Sequence, residues 1–293
     1  MRYFLALFLL FTAPIQAIAF TAMKPGDCAA AWQKITSMSG AGASGSAQEI
    51  HRVSEDGWCL TPSVAALPSG IDFDLFEWRA EGLQRYLENS LAPTALAIRV
   101  TDADMLRKYG VKEVADAPAM PMQIVLVLRE NAQDRQLLIE KLLISGPHGA
   151  EVFLTGVFHD VDLSSTGKMQ ISLGSAKLRD VALVAKGTRG LDRYIRPYFG
   201  ATFPERSRRR TEMADKVSDW PDHSFPPKTK RAVKQLIAEL PSPNGTLRVD
   251  VDTGAGISMG SFMNPYLFGE PGEETMKRLL ETTVFNATWT RGE

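Results

Sequence analysis

The stretch from Gln136 to Lys186 restricts this chain more than any other, because it reads as successive strands joined by short turns. Its segments are 137–145, 151–163, 168–173 and 176–186, separated by Gly146-Pro147-His148-Gly149, Ser164-Ser165-Thr166-Gly167 and Gly174-Ser175. Glycine takes positive φ at little cost, so such joins between β-branched and aromatic runs predict an antiparallel meander. In 168–173 the residues Met169, Ile171 and Leu173 alternate with Lys168, Gln170 and Ser172, which predicts a strand with one apolar face. Upstream, Ile124, Val125, Leu126, Val127 and Leu128 follow one another without a break. A run of that length suits a strand covered on both faces, so packing is expected on each side of the sheet near its centre.

Other elements follow from local pattern. Asp27 is the expected N-cap of a helix over 28–39, with Trp32, Ile35 and Met38 at helical spacing. A glycine-rich linker, 40–46, leads to a small hairpin around Glu55-Asp56-Gly57. Strands are expected over 71–79, 94–101, 122–129, 246–252 and 284–289, with a short helix over 83–89 and a helical turn over 104–109. Residues 190–240 form a mostly helical excursion, with helices over 191–199, 205–218 and 228–240. In the last of these Pro227 stands at the first turn, and Val233, Leu236, Ile237 and Leu240 form one stripe. Pro271 opens a final helix. Residues 82–87 and 190–195 echo one another, which leaves a duplication open and sets Arg85 and Arg193 as solvated helix residues.

The N-terminus carries an address. Arg2, the apolar run 3–13, Pro14 and Gln16, then Ala17-Ile18-Ala19 make a secretory signal cleaved before Phe20. An uncleaved anchor is the alternative, since 3–20 is almost long enough to span a bilayer. No lipobox precedes Cys28, and no later apolar run is long enough to span, so the mature chain is expected to be soluble and periplasmic or secreted. In an oxidising compartment the two cysteines, Cys28 and Cys59, are expected to form a disulfide, contributing on the order of 3–4 kcal/mol. They lack the C-x-x-C spacing of a redox pair. The chain divides into a signal (1–19), a stapled cap (20–68) and one α+β domain (69–293).

Formal charge is −1 overall, which excludes a generally basic nucleic-acid binder. The balance is uneven, with twelve Lys and Arg against six Asp and Glu between Arg189 and Lys234. Arg206, Arg208, Arg209 and Arg210 cluster near the start of one helix, and Lys228, Lys230, Arg231 and Lys234 open the next. Packed side by side, the two helices would carry one cationic patch suited to an anionic surface. The competing reading is a solvated surface partly neutralised by Glu205, Glu212 and Asp215.

No catalytic constellation emerges. Gly256-Ile257-Ser258-Met259-Gly260 fits the G-x-S-x-G nucleophile elbow, but Pro265 interrupts the required helix and no histidine follows Ser258. A glycine-rich strand exit explains the motif better. Gly40-Ala41-Gly42-Ala43-Ser44-Gly45 fits G-x-G-x-x-G yet lacks the strand-to-helix context of a dinucleotide site. Ser165-Thr166-Gly167-Lys168 is read as a hairpin turn. His159, Asp160 and Asp162 share a predicted strand, with His159 facing away from the two acids, so they do not form one metal site. His51, His148 and His223 stand alone, and nothing in the chain calls for a metal or cofactor.

The expected fold is α+β: a mainly antiparallel sheet of long strands, helices packed on it, and a disulfide-stapled N-terminal cap. In its export and long strands, though in no motif, the chain resembles the β-rich AsmA-like envelope proteins of Gram-negative bacteria. That resemblance implies a lipid- or envelope-related role. The functional expectation is an exported, non-catalytic protein that binds an anionic lipid surface, a glycan or an envelope protein. The alternatives are an envelope hydrolase using Ser258 and a purely structural periplasmic subunit.

Overall fold

A computed structural model of the chain describes residues 20–38, 52–62, 75–103, 122–146, 149–187, 202–258 and 280–292. Its strands are β1 (Arg52–Val53), β2 (Cys59–Pro62), β3 (Leu75–Glu81), β4 (Ala95–Ala103), β5 (Met122–Asn131), β6 (Gln136–Ser145), β7 (Glu151–His159), β8 (Lys177–Lys186), β9 (Gly245–Asp252), β10 (Ile257–Ser258) and β11 (Val284–Arg291). They form one antiparallel sheet in the order β1-β2-β3-β4-β5-β6-β7-β8-β9-β11, with β10 on β8 beside β9. The fold is therefore α+β, as the sequence predicts. The hairpin β1–β2 continues the sheet, since β2 pairs directly with β3.

Register lines up aliphatic side chains in continuous rows on one face, while the other face mixes the row Val125, Leu143, Phe153 and Val184 with charged residues. Cross-strand partners share a face, and the row Ile98, Leu126, Leu142, Leu154, Leu183, Val249 and Ala287 crosses seven strands. Strict alternation would turn Ile139 and Leu142, or Leu178 and Val181, to opposite sides. Register shifts correct this: one falls between Ile139 and Leu142, and another on β8 leaves Asp180 at φ 50°. Each inserted residue resets the phase, so Ile139 stays on the side of Leu142, and Leu178 on that of Val181.

All the described helices that pack on the sheet stand on this apolar face. Helix α1 (Pro25–Met38) lies over β2 and β3, with Cys28 and Ala31 buried among Cys59, Trp78 and Ala80. It begins earlier than expected, because Pro25 enters the first turn, so Asp27 sits inside that turn and not at the cap. The Cys28–Cys59 disulfide, with both residues fully buried, ties α1 to β2. Helix α2 (Leu83–Asn89) adds Leu83, Tyr86 and Leu87 to the same cluster. Lys34 donates to the Tyr86 and Leu87 carbonyls at 2.7 and 2.9 Å, which caps the end of α2. Gly82 enters α2 at φ 66°, where an added Cβ would lie 3.0 Å from Thr94 Oγ1, so the tight corner needs glycine.

Residues 168–173 are not a strand. They belong to helix α3 (Thr166–Ser175), and Ser165 is its N-cap, accepting a hydrogen bond from the Lys168 amide. The preceding strand stops at His159 because Asp160 takes φ 62°, so the predicted extension to residue 163 fails as well. Six alternating residues fit either period, and the tertiary environment decides between them. Val161, Leu163 and Ala176 bury themselves against Leu137, Phe158 and Met169, and α3 closes that end of the apolar face. Ser165-Thr166-Gly167-Lys168 is accordingly a helix start and not a turn.

Arg85 also departs from expectation. It is not simply solvated: it donates to Glu130 at 2.8 Å and to the Leu163 carbonyl at 3.0 Å, with the Glu130 side chain only 7 % exposed. The clasp joins α2, β5 and the β7–α3 loop. Its counterpart Arg193, the second half of the echo, the expected helices at 104–109, 191–199 and from Pro271 to residue 279, and the linker 40–46 lie outside the described residues.

At the other edge, α4 (Phe203–Ser218) packs on α5 (Pro227–Glu239), and α5 packs on β11. Thr229, 2 % exposed, donates to the Phe285 carbonyl at 2.7 Å and accepts from the Ala287 amide at 2.9 Å. Phe225 stacks on Phe285, and Trp289 donates to Glu239.

Candidate functional site

Between these two helical flanks lies the central part of the apolar face. Three rows floor it: Ile124, Ile144, Val152 and Ala185; Leu126, Leu142, Leu154 and Leu183; and Leu128, Ile139, Gly156 and Val181. None of these side chains carries a hydrogen-bonding group. With strands about 4.8 Å apart, the floor from β5 to β8 is roughly 14 Å wide. Every one of its aliphatic side chains is only half-buried. Fully buried side chains cluster instead beneath α1 and α3 and around α5, and at Trp58, Ala95 and Ala97 on the other face of the N-terminal strands. On β5 itself, Ile124 to Leu128 are partly buried on both faces. Among the described residues this floor forms a trough of aliphatic side chains flanked by α1 and α2 on one side, α5 on the other, and α3 at one end.

The predicted cationic residues divide by direction. The two helices do pack side by side, but three of the eight cations serve that packing. Arg210 donates to the Ala238 and Leu240 carbonyls at 3.1 and 3.4 Å. Lys230 pairs with Asp222 at 2.7 Å and donates to the Ser218 carbonyl, and Lys234 donates to Ser218 Oγ at 2.6 Å. Arg208 pairs with Glu212 at 3.6 Å one turn on. Arg206 is half-buried, whereas Arg209, Lys228 and Arg231 are exposed and have no acidic partner among the described residues. The helices run antiparallel, so Arg209 and Lys228 lie about 16 Å apart along them at 1.5 Å per residue. That exceeds a Debye length at physiological salt, so the patch acts as two groups and not one.

The opposite face of the sheet is charged at its ends. Near the N-terminal edge the Arg79 guanidinium lies over Phe20 at 4.7 Å and Trp58 at 4.3 Å, while Arg99 lies over Trp58 at 4.7 Å. Arg99 also grips Glu77 through two hydrogen bonds, and Arg129 holds Glu140 at 2.6 Å. Burial pulls the Arg79 pKa down, and the Glu77 bonds push that of Arg99 up. The hydrogen bond from Ser54 holds Asp56 below the usual carboxylate range. This network anchors Phe20 and Thr21, the latter bonded to Glu81, to the sheet. No sequence period announces it, because its members converge only through cross-strand pairing.

The remaining candidates do not assemble. Ser258 lies in β10 opposite Lys177, which in turn pairs with His159. His159 approaches Asp180 at 4.0 Å, so a carboxylate and an imidazole do meet on that face. Two strand spacings separate His159 from Ser258, about 10 Å, which is beyond direct proton transfer. The described serine therefore sits in a paired strand, not on an elbow. Asp160 and Asp162 do not share a strand face: Asp160 nears Lys177, and Asp162 accepts from Ser164 and nears Lys168. The hydroxyl of Ser164 lowers the Asp162 pKa. Among the described residues no three His, Cys, Asp or Glu side chains gather as metal ligands, and no helix is long and apolar enough to cross a membrane.

No family model matches this chain, and no curated protein or solved structure matches it either.

Proposed function

We propose that this is an exported, non-catalytic envelope protein that binds lipid, laying an acyl chain along the apolar trough of β5–β8 and meeting anionic headgroups or surfaces with cations of the α4–α5 lobe. The aliphatic rows, two of them continuous from β5 to β8, carry the reading. Ligand sites for polar molecules place a few hydrogen-bonding groups among apolar walls. This floor offers none, which disfavours a glycan and favours a hydrocarbon chain. Each methylene transferred from water onto such a surface contributes about 0.8 kcal/mol when fully buried. Helix α5 stands on the same face as the floor, so the lobe and the trough open to the same side. Export is supported by the signal-like N-terminus and by the buried disulfide, which persists in an oxidising compartment.

The test is displacement of a fluorescent long-chain fatty-acid probe from delipidated protein. Saturable binding, displaced by long-chain but not by short-chain fatty acids, is the expected result. Absence of saturable binding by folded, disulfide-bonded protein would refute the reading.

A further inference from the structure

We infer that proteolytic cleavage between Ala19 and Phe20 makes a group the fold is built to receive: the α-ammonium of Phe20 becomes the counter-ion of the Glu81 carboxylate and locks residues 20–24 as a strap over the end of the sheet. The inference rests on the export reading above, and not on the trough, and adds what the new terminus does.

The residues after the cleavage site are held one after another. The Phe20 ring lies 4.7 Å from the Arg79 guanidinium and 5.6 Å from that of Arg129. The amide and hydroxyl of Thr21 both donate to Glu81. Ala22 presses on Gly57: at φ 81° an added Cβ would lie 2.7 Å from the Ala22 Cα, so the strap needs glycine beneath it. The Met23 amide donates to the Gly57 carbonyl at 3.1 Å, and its side chain is buried with Cys28 and Ala31. The Lys24 carbonyl then starts α1 by accepting from the Asp27 and Cys28 amides at 3.0 Å. Trp78 and Arg79 are successive residues of β3 and so face opposite sides. Phe20 is on the side of Arg79 and Met23 on that of Trp78, so the segment passes from one face to the other around Gly57 and Glu81.

Around this strap one carboxylate lacks a cation. Arg99 holds Glu77 with two hydrogen bonds and lies 3.6 Å from Asp56, and Arg129 holds Glu140. Glu81 is half-buried and has no ion pair among the described residues; its hydrogen bonds come from Thr21. Arg79, two residues away on the same strand face, lies against the rings of Phe20 and Trp58 instead. Bonded geometry sets the Phe20 nitrogen roughly 3 Å from the Thr21 nitrogen, within reach of the same carboxylate. While the peptide bond is intact that nitrogen is a neutral amide. Hydrolysis breaks the Ala19–Phe20 C–N bond, water giving its hydroxyl to the carbonyl carbon and a proton to the nitrogen. The new carboxylic acid passes its proton to the amine, which leaves a carboxylate on the departing peptide and an ammonium on Phe20. The agent is an endopeptidase that reads the small side chains of Ala17 and Ala19. The ammonium supplies the missing charge through a charge-assisted bond, roughly twice as strong as a neutral one. A merely solvated Glu81 would explain the unpaired charge, but not the two bonds from Thr21 or the glycine kept clear for Ala22.

The experiment expresses the full-length chain in a secreting host and reads the N-terminus of the purified protein by intact mass and sequencing; Phe20 should come first. That mature chain is then compared with a form carrying Gly-Ser ahead of Phe20, which keeps every side chain but moves the ammonium away. E81Q should lower the folding equilibrium constant, read from urea unfolding, about fivefold more in the mature chain than in the extended one, the effect of a single charge-assisted contact. A second measurement needs no stability difference. An amine-acylating reagent at neutral pH should label the Phe20 nitrogen more slowly in the wild type than in E81Q, because the ion pair keeps it protonated. Cleavage at another bond, or none, overturns the inference together with the signal on which it rests. Cleavage at Phe20 with equal effects of E81Q in both forms, or with equal labelling, overturns the lock alone. Neither result touches the trough, which the fatty-acid probe decides separately.

Discussion

Leu142 and Leu143 are neighbours in β6 that face opposite sides of the sheet, and that makes them the sharpest probe of the trough. Leu142 lies between Leu126 and Leu154 on the apolar floor, whereas Leu143 lies between Val125 and Phe153 on the other face. The perturbation is Leu→Asn at each position in turn. An acyl chain crossing Leu142 sets about two methylenes against it, worth about 1.5 kcal/mol at 0.8 kcal/mol each. The new amide loses its water when the chain settles, which costs roughly another 1.5 kcal/mol on the scale of protein mutations. Together the two effects weaken binding on the order of 100-fold. L143N leaves the floor intact, so its Kd should change by less than about threefold, the reach of a 0.6 kcal/mol disturbance. The assay is displacement of the fatty-acid probe at matched protein concentration, with urea unfolding to establish that both variants are folded. Equal losses, or a greater loss for L143N, would refute the assignment of the binding face.

Three further outcomes follow from the packing. C28S–C59S opens a crosslink of sequence separation 31 and should lower unfolding free energy by about 3–4 kcal/mol, read from urea curves; a loss below about 1 kcal/mol contradicts the stapled cap. T229V keeps the shape but leaves the Phe285 carbonyl and Ala287 amide without their buried hydroxyl, so it should cost about 2 kcal/mol, and a neutral result would deny that this bond seats α5. Glu239 titrates below its ordinary value: burial raises it, but bonds from Arg291, the Asn244 amide and Trp289 outweigh that. Its stabilising effect is therefore complete above about pH 4.3 and is lost as pH falls through the depressed value. Emission of Trp289, taken as the difference from W289F, should change over that window, and E239Q should abolish the dependence.

The sequence determined the elements whose signal is local. The runs at β5, β6, β7 and β8, the helix over Leu83–Asn89, and the pairing of two cysteines needed only local apolar runs, turn residues and compartment logic. Tertiary structure decided the rest. Six alternating residues at 168–173 became a helix because Ser165 caps it and Val161, Leu163 and Ala176 needed covering. The cations of α4 and α5 were visible, but not their directions: Arg210, Lys230 and Lys234 turn inward because an antiparallel partner offers carbonyl, hydroxyl and carboxylate acceptors within reach. Likewise an unbroken apolar run tells a strand that both sides are greasy, not whether anything covers them. Burial depends on where the helices land, and here those that are described land at the two flanks and one end. Periodicity is a property of one segment; exposure is a property of all the segments that fail, or manage, to arrive beside it.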